Sequence, residues 1–348
     1  MSATSIIGDL GEKRLIQTVI MPLLNPEGDG DLPGDDCGIA WPRHGLPICV
    51  STDRVPWDLI AFRTGLIDII RLGYYLAVLN LSDIAAMGAE ALGIVLNLGL
   101  PSSFPIDDLR ALLQGADEAC RHYGCHVLGG DLSDAAEPNL VAAVIGHGDG
   151  GRLLRRAGAR AGDLLYCSGH VGLTPTAFRY FLDARPAGLK LLPEDEQLLV
   201  RQFSRPEARL ALGRALRRLD PPVTCMDNTD GFGQTVFELS QLNGVGFLLN
   251  ASALPIHPIS RQVAAFLGVD VIDLALGPGA DFQLVGTIAA DALPEGADTS
   301  PGIRCVGRAT SAAETIAVLD ATGRERAVTV TGWDYFSNDP VGSVRASS

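Results

Sequence analysis

Six aspartates, Asp35, Asp53, Asp83, Asp131, Asp227 and Asp230, stand in small-residue settings spread over the chain: Gly34-Asp35-Asp36-Cys37, Ser51-Thr52-Asp53, Asn80-Leu81-Ser82-Asp83, Gly129-Gly130-Asp131 and Asp227-Asn228-Thr229-Asp230-Gly231. A carboxylate flanked by Gly, Ser or Thr at the end of an apolar run lies where a buried strand or helix reaches solvent, and its short neighbours leave room for a ligand. Taken alone, each reads equally well as a helix cap or a loop closure. As a series, several directly after strand-like runs such as Ile48-Cys49-Val50 and Val127-Leu128, they point to one shared site. Converging carboxylates repel one another and rise in pKa unless cations share the site, and hard cations with oxygen ligands are the ordinary solution. The chemistry expected is Mg2+ holding a polyphosphate.

Alternating strands and helices must position these groups. Strand-like runs at 38–41 and 47–50 precede a helical region from about Thr64 to Ala89, which the polar Asn80-Leu81-Ser82-Asp83 is expected to interrupt. Asp108 to Tyr123 carries Leu109, Leu112, Leu113, Ala116, Ala119 and Cys120 on one face, with Gly124 as its stop. Strands are expected at 126–128 and 140–145, and the glycine-rich 146–151 is the best boundary, dividing a first domain (1–150) from a second (151–348). The second half repeats the alternation, with strands at 163–167, 223–226, 245–249, 282–288, 303–306 and 327–330, and helices at 206–219 and 232–242. The fold class is α/β with mixed sheets.

Composition bounds the partners. The 348 residues exceed the size at which one core usually stops growing, and 47% hydrophobic content supplies two. A net charge of −14 argues against nucleic acid or an anionic membrane surface, both of which need clustered Lys and Arg. A phosphorylated ligand remains compatible where metal ions bring the positive charge. The seven cysteines are odd in number, lack a C-x-x-C and mostly sit in apolar stretches, as reduced thiols of a cytoplasmic protein would. The first residues lack a basic region followed by a long apolar run, so neither export nor membrane insertion is expected.

Other chemistries are missing. The chain has no G-x-x-x-x-G-K-[ST] loop, no H-E-x-x-H and no G-x-S-x-G. Gly146 to Gly151 matches G-x-G-x-x-G but lies far from the first strand and reads as a linker. Arg152, Arg155 and Arg156, beside Gly151 and Ala157-Gly158-Ala159, could fork onto phosphate oxygens or form a solvated basic helix end.

Several blocks occur in the same order as in thiamine-monophosphate kinase, and the chain resembles that family over nearly its whole length. They are Pro33-Gly34-Asp35-Asp36-Cys37, Ser51-Thr52-Asp53, the highly specific Ala77 to Ala89, Gly129-Gly130-Asp131, Arg152 to Ala159, Arg205-Pro206, Asp227 to Gly231 and Gly332-Trp333-Asp334-Tyr335-Phe336. The wider superfamily includes aminoimidazole ribonucleotide synthetase and selenophosphate synthetase. The resemblance implies a two-domain aminoimidazole ribonucleotide synthetase-like fold, with N-terminal sheets pairing into a barrel-like homodimer core and ATP bound with Mg2+ between the domains. It makes Asp35, Asp53, Asp83, Asp131, Asp227 and Asp230 metal ligands and Thr52, Gly130, Asp131, Thr229 and Arg156 nucleotide-binding residues. Asp131 and Asp230 are the candidates nearest the chemistry, which would be phosphoryl transfer by positioning and charge neutralisation.

Departures from the family pattern fall on the acceptor side. Val-Glu-Gly-Val-His-Phe becomes Val55-Pro56-Trp57-Asp58-Leu59-Ile60-Ala61-Phe62, and Gly-Gly-Glu-Asp-Tyr-Glu-Leu becomes Gly277-Pro278-Gly279-Ala280-Asp281-Phe282-Gln283-Leu284. Because lost polar partners change discrimination strongly, an acceptor other than thiamine monophosphate is expected. Trp57, Asp58, Asp281 and Trp333 are the candidate substrate residues. Two alternatives stay open: a ligase or cyclase that activates a carbonyl or carboxyl oxygen by phosphorylation for attack by nitrogen, and a non-catalytic nucleotide-binding protein.

Overall fold

The computed structural model describes residues 14, 16–24, 34–149, 152–292, 299–300 and 302–328. Strands β1 (Gly38–Ala40), β2 (Ile48–Val55), β3 (Glu90–Leu100), β4 (His126–Asp134) and β5 (Asn139–His147) form a first sheet in the order β1-β2-β5-β3-β4. Only β3 and β4 run parallel in it, so the chain must cross over between them; helix α2 (Ile106–His122) makes that crossover. Helix α1 (Ile69–Ala86) precedes β3 and starts at Asp68, whose carboxylate accepts the Arg71 N–H at 2.9 Å.

The second sheet contains β6 (Leu164–Cys167), β7 (Met226–Asn228), β8 (Gly246–Asn250), β9 (Gln283–Ile288), β11 (Ile303–Thr310), β12 (Ile316–Leu319) and β13 (Glu325–Ala327), in the order β13-β12-β8-β11-β6-β9-β7, with β10 (Thr299–Ser300) beside β11. Helices α3 (Leu173–Arg179), α4 (Pro193–Ser204), α5 (Leu210–Arg217), α6 (Phe232–Asn243), α7 (Pro258–Leu267) and α8 (Val271–Ala275) complete it. The fold is therefore mixed α/β with two mixed sheets, as the alternating pattern predicts.

One apolar core runs from the first sheet (Ile94, Leu96, Leu140, Val144) through α1 and α2 to α4, α5 and the near face of the second sheet, where Tyr166, Leu284 and Ile288 are buried. A separate cluster, with Phe247, Val236, Leu239 and Val306, fills the far face against α6. Helix α1 is apolar enough and long enough to cross a membrane, yet 78% of it is buried inside the protein. Glycine permits its close crossing with α2: a Cβ on Gly115 would lie 1.8 Å from the Ile70 carbonyl oxygen, and one on Gly73 2.0 Å from that of Leu112.

Two local expectations differ from the structure. Asn80 to Asp83 do not interrupt α1, because Asn80 satisfies itself inside it, donating Nδ2 to the Leu76 carbonyl at 2.9 Å and accepting the Asp53 N–H at 3.1 Å. Strand β4 continues through Gly129-Gly130-Asp131 to Asp134, where a strand exit was expected at Leu128. Pairing with β3 sustains it despite the glycines. The strand expected at 327–330 lies partly outside the described residues; β12 has no counterpart in the sequence reading because its four residues, Ile316–Leu319, are too short for a periodic signal.

Candidate metal centre

Asp36, Asp83 and Asp227 each bring a carboxylate oxygen within 4.8 Å of the others, and all three residues are buried. They arrive from separate elements: Asp36 from the turn before β1, Asp83 from the last turn of α1, Asp227 from the middle of β7. Arg156 Nη2 donates to Asp36 Oδ1 at 2.7 Å, leaving Asp36 Oδ2 and Asp227 Oδ2 buried without a hydrogen-bond partner. The Ser82 hydroxyl and Asn228 Nδ2 beside them are likewise unpartnered. Buried orphan oxygens on three facing carboxylates suit a hard cation, which takes oxygen donors and offsets their repulsion.

The electrostatics extend the cluster. Burial pushes the Asp83 carboxyl well up, and Asp53, Asp227 and Asp36 add to the rise. Burial likewise raises Asp227, with Asp36 and then Asp53 contributing through their charge. Burial raises Asp53, and Asp230 and Asp36 contribute. Asp36, Asp53, Asp83, Asp227 and Asp230 thus share one field. Asn80 fixes Asp53 by holding its backbone N–H, so α1 positions two of these groups at once.

The remaining candidates lie around the triad or beyond it. The Asp35 carboxylate, raised by burial, accepts from Arg156 N at 2.7 Å and Arg155 Nη1 at 3.0 Å, so both its oxygens anchor the segment after Arg152. Asp36, its neighbour, was not among the sequence candidates; its signal was the doubled acid in Gly34-Asp35-Asp36-Cys37. Asp131 is exposed on β4 and shares a register row with Asn97, Val141 and Arg54, whereas the row of Asp53 runs through Ala142, Leu96 and Gly130. Alternation therefore puts Asp131 and Asp53 on opposite sheet faces. Thr52, also exposed, donates its hydroxyl to the Ala142 carbonyl at 2.9 Å. Arg156 is committed to Asp36, with Glu238 at 4.0 Å. Thr229 and Asp230 form the half-buried turn after β7, where Asn228 Oδ1 accepts the Gly231 N–H at 3.2 Å.

Trp57 packs on Phe62 and Phe104, at ring separations of 5.0 and 5.7 Å, while Asp58 beside it is exposed. The Asp281 carboxylate is buried and accepts the N–H groups of Gly172 at 2.6 Å and Thr174 at 2.8 Å, at the start of α3. Its acceptor capacity is thereby directed to backbone rather than to an open pocket. Trp333 lies outside the described residues.

Residues 34–148 match the AIR synthase related protein N-terminal domain. Over 290 residues the chain is 31% identical to thiamine-monophosphate kinase of Synechococcus elongatus, covering 82% of this chain and 84% of that protein. The chain belongs to the thiamine-monophosphate kinase family. Membership makes it an ATP-dependent phosphotransferase, and the same kinase from Pyrococcus horikoshii is 26% identical over 80% of the chain and 84% of its own length. The fold agrees: the AaThiL chain complexed with AMPPCP and TMP superposes with a TM-score of 0.80 at 23% identity, covering 96% of this chain and 100% of that one.

Proposed function

We propose that this chain transfers the γ-phosphoryl group of ATP to a small acceptor, using Mg2+ held by the buried triad Asp36, Asp83 and Asp227, with Asp53 and Asp230 completing the field. The observation that carries this reading is the pair of orphaned carboxylate oxygens on Asp36 and Asp227 inside that triad. When bound, the cation neutralises phosphate charge and aligns the attacking and leaving oxygens. The protein's part is positional. Arg156 offsets one carboxylate, Asn80 locks Asp53 to α1, and Gly231 lets the Thr229-Asp230 turn approach closely, since a Cβ there would lie 2.5 Å from the Gly277 carbonyl oxygen.

Thiamine monophosphate, named in the relatives, is the first acceptor to test. A second reading, a different acceptor, is favoured by Trp57, which stands in the stretch that lacks the family's histidine and packs on Phe62 and Phe104. An assay with MgATP following ADP, free phosphate and phosphorylated product separately decides between them. Thiamine diphosphate formation supports the first; ATP binding without that product supports the second, and free phosphate with a condensed product would replace kinase by ligase chemistry.

We further take residues 1–150 as the ATP- and Mg2+-binding and dimer-forming unit, and 151–348 as the unit that closes over the ligands and adds Asp227 and Asp230 to the metal's field. Strand β4 is exposed at every residue but Val127 and ends the first sheet, and Leu92, Leu128 and Leu132 are exposed on that sheet. Such an edge favours a second copy of the chain as its cover. Light scattering that gives a monomer mass at micromolar concentration would refute the homodimer. Buried thiols at six of the seven cysteines fit a reducing, cytoplasmic setting.

A further inference from the structure

We propose that residues 279–282 form a strap that fixes the turn carrying Asp227 and Asp230 against α1, with Asp281 and Phe282 as positioning residues for divalent-cation binding. The inference rests on the metal-dependent reading above. One end of the strap is anchored on α3: Asp281 accepts the Gly172 and Thr174 N–H groups, the Thr174 hydroxyl donates to the Ala280 carbonyl at 2.7 Å, and Gln283 Nε2 returns to the Asp281 carbonyl at 3.0 Å. Its other edge holds the turn: Phe282 N–H donates to the Asn228 carbonyl at 2.9 Å, and Gly279 N–H to that of Asp230 at 3.4 Å.

Phe282 makes the link across the site. Its φ of 55° is left-handed, a region sparsely populated by bulky residues and retained where surroundings over-determine it. That backbone lets its N–H face Asn228 while its buried ring meets Tyr75 edge-on at 5.4 Å and 80°. Tyr75 lies on α1, two turns before Asp83. A single residue therefore touches two of the three elements that bring the triad together. Loss of a contact that orients metal ligands typically weakens metal affinity by about 10–100-fold.

Titration calorimetry with MgCl2 in the presence of AMPPCP tests the strap on Phe282→Ala, Phe282→Tyr, Asp281→Asn and the unaltered protein. Phe282→Ala and Asp281→Asn are expected to bind Mg2+ about 10–100-fold more weakly, with far-ultraviolet circular dichroism unchanged. Phe282→Tyr, which keeps the ring, should restore affinity. Unaltered Mg2+ affinity in a folded Phe282→Ala overturns the strap and leaves the metal site standing. Equal losses in Phe282→Ala and Phe282→Tyr also overturn it. If Asp281→Asn does not fold, the two Phe282 variants carry the test. An unaltered protein that binds no Mg2+ removes both the strap and the function on which it rests.

Discussion

Arg156 Nη2 donates to Asp36 Oδ1 at 2.7 Å, and the backbone N–H of the same arginine holds Asp35 Oδ1 at 2.7 Å. One residue thus sorts the doubled acid into an anchor and a triad member. Among the described residues Asp83 and Asp227 have no Lys or Arg within ion-pair distance, so the guanidinium offsets only part of the cluster's charge. The remainder is what a cation would neutralise.

Removing a triad charge should separate stability from activity. Asp83→Asn and Asp227→Asn are expected to lower ATP turnover by roughly 100-fold or more, since metal stabilisation of transferring phosphate is worth several kcal/mol. Both variants should melt no lower than the parent in chelator, because like-charge repulsion has been relieved. A coupled ADP assay and thermal melts check this; full turnover in either folded variant refutes the metal centre.

Arg156→Met leaves Asp36 buried without its charge partner. Breaking such a pair costs about 3–5 kcal/mol when fully buried, and the low end applies because the Arg156 side chain is 23% exposed. Urea denaturation should show a loss near 3 kcal/mol, partly recovered by Mg2+.

Asn80→Ala removes both the acceptor for Asp53 N–H and the bond to the Leu76 carbonyl. The orphaned, part-buried N–H should cost about 1–3 kcal/mol, and the freed Asp53 should raise the Mg2+ requirement by about 10-fold. Equal Mg2+ dependence of the variant and parent would show that Asn80 serves the helix alone.

The pH dependence follows from the raised carboxyls. Burial, then neighbouring charge, holds Asp83 and Asp227 well above the ordinary aspartate value, and burial raises Asp53. Folded pKa values above unfolded ones mean that the folded chain binds more protons. The stabilisation is full below about pH 4 and is lost as pH rises through the folded values. In chelator, these groups should make the melting temperature fall as pH rises above the ordinary aspartate value of about 4, and Mg2+ should raise it more at the higher pH, where fewer protons compete. Melting curves with an Mg2+ increment independent of pH would contradict this.

Much of this was legible in sequence because strands and helices of the first domain carry clean periodicity. Leu112, Ala116, Ala119 and Cys120 are buried on one face of α2 as their spacing predicts, whereas Leu113 of the same expected face is exposed. The convergence of Asp83 and Asp227 was readable from the series of carboxylates beside apolar runs, a signal that neither residue carries alone. Asp36 was hidden by its neighbour: spacing cannot say which of two adjacent acids faces inward, and Arg156, a long-range partner, decides it. The uninterrupted α1 was hidden for a similar reason, since Asn80 is stabilised there by Asp53 from another element. Asp281 looked like a pocket residue because sequence gives no sign of the α3 amides it receives.

Helix α1 belongs to both halves of the molecule. It fills the groove beneath the first sheet, and its C-terminal end meets α5 so closely that a Cβ on Gly213 would lie 1.9 Å from the Ala85 carbonyl oxygen. Neither half can melt without stripping a wall from the other's interior. The chain should therefore lose structure in one cooperative step instead of in two, and nicking in the 148–152 connection should release no independently surviving fragment.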